Sequence, residues 1–108
     1  MYKFDLEERM IEFSILIIEI TKEMPKNYAG IHLVKQLLRS GTSVSLNYRE
    51  VQSGESRRDF IHKMKIVLKE LRETFVCLKI IERTKHFKTQ SKIGKAKQET
   101  NELISIFV

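Results

Sequence analysis

Tryptophan is absent, proline and cysteine occur once each, and glycine only four times among 108 residues. So few prolines and glycines cannot supply the many tight turns of an all-β sandwich, whereas long helices need almost none. The single thiol, Cys77, excludes an internal disulfide, and no charged-then-apolar leader with a small-residue cleavage site opens the chain. A reducing cytoplasm is therefore the expected compartment. Long hydrophobic runs are missing as well: Ile15-Leu16-Ile17-Ile18 falls far short of the ~20 residues that cross a bilayer, so neither a transmembrane segment nor a membrane partner is expected. Sequence motifs for common chemistry are equally scarce. There is no G-x-x-x-x-G-K-[ST], no G-x-S-x-G and no zinc spacing. His32, His62 and His86 sit singly on different segments, and Glu70-x-x-Glu73 lacks the histidine that a di-iron bundle needs. No metal, no cofactor and no catalytic residue is expected, and the chain does not read as an enzyme.

What is present reads as helix. Hydrophobic residues at 42% beside charged residues at 31% suit a folded helical protein and are too apolar for a disordered one. At this length one domain, residues 1–108, is expected. Leu6, Met10, Phe13, Ile17, Ile20 and Met24 step by four and three, placing a continuous apolar seam on one side of a helix over about 5–23, with Asp5 as its N-cap. Pro25 ends it, because the ring disfavours a helical Met24. A second helix is expected over about 30–52, with Ile31, Val34, Leu37, Leu38, Val44, Tyr48 and Val51 inward. Ser56 and Asp59 make a capping-box arrangement for a third over about 57–84, whose seam is Phe60, Met64, Val67, Leu71, Thr74, Leu78 and Ile81, widened by Ile61, Leu68 and Phe75. The fourth, about 89–107, carries Ile93, Ala96, Leu103, Ile104 and Phe107. Short links between long helices force alternating directions, so the fold class is all-α, an up-down-up-down antiparallel four-helix bundle.

Charge is distributed unevenly. Residues 1–54 hold seven basic and seven acidic side chains, and residues 55–108 hold thirteen and seven, so the whole net charge of +6 lies in the second half. Such a field attracts polyanions. The candidate nucleic-acid contacts are Lys65, Lys69, Arg72, Lys79 and Arg83 in one stripe of the third helix, followed by Lys85, Lys88, Lys92 and Lys95. With no tryptophan, and tyrosine and phenylalanine mostly on core seams, base stacking has few candidates, so binding should be weakly sequence-specific and strongly salt-dependent.

Two further patterns call for partners. Ser40-Gly41-Thr42-Ser43-Val44-Ser45 has poor helix propensity in mid-helix, which points to a close approach by a neighbouring helix. Arg39, Asn47, Glu50, Glu70 and Glu73 could form a polar network that fixes the register of the second and third helices. Apolar side chains also exceed what one bundle can hide. Ile15 and Ile18 on the first helix and Ile66 and Ile80, with Cys77, on a second flank of the third are expected to form the interface of a closed homo-oligomer.

Gln36-Leu37-Leu38-Arg39-Ser40-Gly41-Thr42-Ser43-Val44, continuing through Asn47-Tyr48-Arg49-Glu50, resembles the four-helix bundle family of 23S rRNA intervening-sequence proteins. The likeness extends through Glu55-Ser56, Asp59-Phe60-Ile61-His62-Lys63 and Lys69-Glu70-Leu71-x-Glu73 and covers about residues 5–82. The chain departs from the family at Val76-Cys77, where a Tyr-Trp pair is usual, and at Val51, where alanine follows the Arg-Glu pair. The resemblance implies a homopentameric ring or barrel. Family members are encoded within insertions in bacterial 23S rRNA genes, and others are similar to the accessory protein of diversity-generating retroelements, which binds nucleic acid and a reverse transcriptase. Two functions are therefore expected to compete. One is an accessory protein that binds structured RNA through basic helix surfaces; the other is an oligomeric adaptor for a protein partner, such as a reverse transcriptase or a ribosomal component.

Overall fold

Asp5 caps the first helix, its carboxylate accepting the Glu8 N–H at 3.1 Å while Glu7 and Glu8 occupy the first turn, where the helix dipole favours negative charge. The structure, a computed structural model, describes residues 5–52, 56–84 and 90–108. Helix α1 runs Leu6–Lys22, α2 Tyr28–Gln52, α3 Arg57–Thr84 and α4 Gln90–Phe107. The class is all-α, with no strand among the described residues. Helix α2 starts two residues before the expected Gly30. Its cap is Asn27, whose side-chain oxygen accepts the Gly30 N–H at 2.8 Å. Gly30 itself is fixed by a close approach, since a Cβ there would lie 1.9 Å from the Pro25 carbonyl oxygen. The Ser56 hydroxyl accepts the Asp59 N–H at 3.0 Å and opens α3 as the capping pattern predicts.

Side-chain contacts establish the directions of the helices. Ser14 of α1 meets Gly41 and Ser45 of α2, while Glu7, nearer the start of α1, meets Arg49 near the end of α2. Ser40 of α2 meets Thr74 of α3, whereas Glu50 meets Lys63. Lys97 of α4 reaches Glu82 of α3, and Arg9 and Glu23 of α1 reach Glu99 and Lys92 of α4. Each neighbouring pair therefore runs antiparallel, and the four helices close a ring in which α1 and α3 are diagonal.

The seams meet in one core. Met10, Phe13, Ile17 and Ile20 are buried from α1 and Met24 just after it, Leu37, Val44 and Val51 from α2, Val67, Leu71, Leu78 and Ile81 from α3, and Ile93, Ala96 and Leu103 from α4. Each large side chain so covered contributes ~1.5–3 kcal/mol. Other expectations need correction. Phe60 and Ile61, placed on the inward seam by periodicity, are 45% and 43% exposed. Helix α3 has 28 residues against 18 for α4, and Phe107 and Val108 border an open pocket with Phe60 and Ile61 rather than covering them. Ile31 and Leu38 of α2 are exposed on the side facing away from α3. Cys77, assigned to a surplus flank, is buried instead. Helix α3 packs on two neighbours at once, and Cys77 lies under α2 with its sulfur 3.9 Å from the Leu33 carbonyl. Burial pushes its thiol up to about 11, so it behaves as a small hydrophobe.

The small-residue stretch is the point of closest approach between helices. A Cβ on Gly41 would stand 2.8 Å from the side chain of Ile17, itself wholly buried. Around it the Ser14 hydroxyl donates to the Gly41 carbonyl at 3.3 Å and lies 3.0 Å from the Ser45 hydroxyl. On the other side of α2 the Thr74 hydroxyl contacts that of buried Ser40 at 2.9 Å. Close packing thus offsets the poor helix propensity of these residues.

Candidate nucleic-acid interface

A residue of α3 that faces outward recurs every three or four positions, and this rule collects Lys65, Lys69, Arg72, Lys79 and Arg83 on one side of the helix. Lys65, Lys69, Arg72 and Arg83 are exposed, and among the described residues none of the four has a carboxylate within 4 Å. Lys79 is half-buried, with its ammonium 5.2 Å from the centre of the Phe75 ring. From Lys65 to Arg83 the ladder spans about 27 Å of helix axis at ~1.5 Å per residue. Unpaired cations at this spacing can bind successive phosphates of one strand.

The remaining candidates do not join this stripe. Lys92 is ion-paired with Glu23 across the α1–α4 seam, which raises its pKa, and it faces away from α3. Lys95 is exposed on the same seam, beside Glu99 and Glu102. Helical periodicity on α4 could have separated them, because Ile93 and Ala96 point to the core and leave Lys92 and Lys95 on the α1 side. Lys85 and Lys88 lie outside the described residues.

Of the expected polar network, three members come together. Arg39 bridges Glu70 at 3.2 Å and Glu73 at 2.6 Å, tying α2 to α3. The hydrogen bond to Glu73 and the charge of Glu70 raise the Arg39 pKa, and Arg39 in turn holds the Glu73 carboxyl below its usual range. Asn47 and Glu50 do not belong. The antiparallel register carries residues further along α2 to positions further back on α3, so Glu50 approaches Lys63 at 4.0 Å, while the Asn47 amide donates to the Ser43 carbonyl of its own helix at 2.8 Å. Sequence reading missed a second tie of this kind, in which Arg9 donates to both carboxylate oxygens of Glu99, at 2.6 and 2.9 Å, and to Glu102 at 2.7 Å. Glu99 and Glu102 share one helix face, which was the available signal.

Glu70 is buried and ion-paired with Arg39. Arg39→Leu should destabilise the protein by ~2 kcal/mol, less than for a fully enclosed pair because the arginine is half exposed. The stabilisation of ionised Glu73 exists above the carboxylate range and is lost as pH falls through it, so the deficit should shrink below pH ~4. Urea unfolding of both proteins at neutral and acid pH measures it; an equal deficit at both would deny the ionic origin.

The expected interface isoleucines are not gathered in one patch. Ile15 and Ile18 are exposed on α1, joined there by Ile11. Ile80 is exposed on diagonal α3 among the cations, and Ile66 is half-buried. On the outer side of the α1–α2 seam, Ile11 and Ile18 flank the Ser14 position that meets α2, while Ile31 and Leu38 precede Gly41 on the matching side of α2. A groove of about 610 Å³ separates α2 from α3 and is lined by Leu33, Val76, Cys77 and Ile80 below Gln36, Lys69 and Arg72. Among the described residues no helix is long and apolar enough to cross a membrane.

The model of the 23S rRNA-intervening sequence protein family matches residues 3–108. A crystal structure at 1.70 Å from Bacteroides thetaiotaomicron, of a protein with unknown function from the S23 ribosomal protein family, is similar at 31% identity. The match covers 95% of this chain and 94% of that one, with a TM-score of 0.85. No curated protein matches. An all-helical fold shared over nearly the whole length and a family model spanning almost every residue lead to one assignment: the chain belongs to the 23S rRNA-intervening sequence protein family.

Proposed function

We propose that this protein is a non-enzymatic, homo-oligomeric accessory protein of the cytoplasm that binds structured RNA through the cationic face of α3. The observation that carries this reading is the ladder of Lys65, Lys69, Arg72, Lys79 and Arg83, of which four have no carboxylate within 4 Å among the described residues, in a chain of net charge +6. The family's link to 23S rRNA supports RNA as the polyanion. Lys92 and Lys95 are left out of the contact set because they face α1. Oligomerisation multiplies the field, and the exposed Ile11, Ile18, Ile31 and Leu38 beside the α1–α2 seam, with Ile15 on the α4 side of α1, supply the apolar surface for it. Five copies, as in the ring that the family resemblance implies, would carry five such ladders.

Filter binding of a structured RNA at ~50 and ~200 mM salt tests the reading. Four or five phosphate contacts per strand should make the affinity fall by about two orders of magnitude or more across that range. An affinity that hardly changes with salt would favour the protein adaptor over the RNA binder.

A further inference from the structure

The cation ladder of α3 has one missing rung. Lys65, Lys69, Arg72, Lys79 and Arg83 follow the outward rule, but the step between Arg72 and Lys79 falls on Val76, which is 51% exposed, with Ile80 beside it at 47%. Val76 and Ile80 together place an apolar patch at the centre of a charged face. At that point the surface dips into the groove between α2 and α3, whose floor is Leu33 and Cys77. Gln36 stands on the α2 rim and makes no hydrogen bond to any described residue, so its amide presents both a donor and an acceptor to the opening. The one acid among the described lining residues, Glu73, is held by Arg39, which leaves Lys69 and Arg72 to set the sign of the rim.

We infer that this groove takes one unpaired nucleotide of an RNA strand whose phosphates run along the α3 cations, its base resting on Val76 and Ile80 and its edge meeting Gln36. The inference rests on the RNA-binding reading and adds to it a preference for loops and bulges over duplex. Apolar side chains with a cationic rim suit a splayed base, which brings a flat, weakly hydrated face and a charged backbone together. The size fits as well: small-ligand sites occupy ~300–1,000 Å³, and this groove holds about 610 Å³. A paired base keeps its faces stacked and its edge engaged, so a duplex can use the cations but not the groove.

The test uses an RNA hairpin carrying 2-aminopurine in its unpaired loop and the same sequence closed into a full duplex, each titrated with the intact protein. The loop probe should change fluorescence on saturation and the duplex probe should not. Val76→Trp, which fills the groove at an exposed position, should weaken loop binding by about tenfold and leave duplex binding unchanged, a loss on the scale of one base contact. Gln36→Ala should act in the same direction and cannot block the groove by bulk. Equal affinity for loop and duplex with unchanged loop fluorescence would overturn the inference while leaving salt-dependent RNA binding in place. So would loop binding that both Val76→Trp and Gln36→Ala leave unchanged, or occupancy of the groove by an acidic helical peptide that leaves loop binding intact. Failure to bind either RNA at low salt would remove the parent reading together with this one.

Discussion

A valine at position 41 should lower stability by ~3 kcal/mol and the melting temperature by about 15 °C. The Cβ alone would stand 2.8 Å from Ile17, which is completely buried and braced by the rest of the α1 seam, so it cannot swing aside. Both extra methyl groups of valine would then push α1 and α2 apart and stretch the Ser14 contacts to Gly41 and Ser45. Alanine at the same site isolates the cause. It improves helix propensity by ~1 kcal/mol, yet it still introduces the clash, so a net loss should remain. Gly94 is the control, because nothing lies within 4 Å of a Cβ there; Gly94→Ala should be stabilising by ~1 kcal/mol. Thermal unfolding of the three variants decides the matter. If Gly41→Ala were as beneficial as Gly94→Ala, the close approach of α1 and α2 would not be what keeps residue 41 small.

Position 41 also shows how much of this fold could be read in advance. The four helices, their caps at Asp5 and Ser56 and the close packing at Ser40-Gly41 follow from periodicity, capping chemistry and propensity, which act over a few residues. Contacts that depend on how far one helix extends past another were not legible. Phe60 and Ile61 keep the period of the seam but stay half exposed beside an open pocket at the end of α4. Cys77 and Ile80 share a flank on a helical wheel, yet α2 covers one and leaves the other in the groove. Register had the same effect on the polar network. Residue types suggested five participants, but the antiparallel offset of α2 against α3 places only Arg39, Glu70 and Glu73 within reach of one another. The cation stripe of α3 was legible because it lies on a single helix. Lys92 and Lys95, expected to follow it in the contact set, lie instead on the α1 side of α4.

Reversing Lys69, Arg72 and Arg83 together to glutamate should reduce RNA affinity on the order of a hundredfold at low salt and lower the slope of log affinity against log salt by about three. Each of the three is exposed and has no carboxylate within 4 Å among the described residues, so the substitutions break no ion pair there and stability should change little. Lys69 is the partial exception, since its charge helps hold the Glu73 carboxyl down, although Arg39 contributes more. Folding and assembly supply the internal control. The exposed isoleucines of α1 lie on the helix diagonal to α3, so sedimentation should find the same state of assembly in the variant and the parent. The change in slope discriminates better than the loss of affinity. A general loss of positive field would weaken binding even if the strand lay elsewhere, whereas the number of counterions released falls by about three only if those three side chains each neutralise a phosphate. An unchanged slope with an intact oligomer would place the strand on another face and dissociate the ladder of α3 from RNA binding.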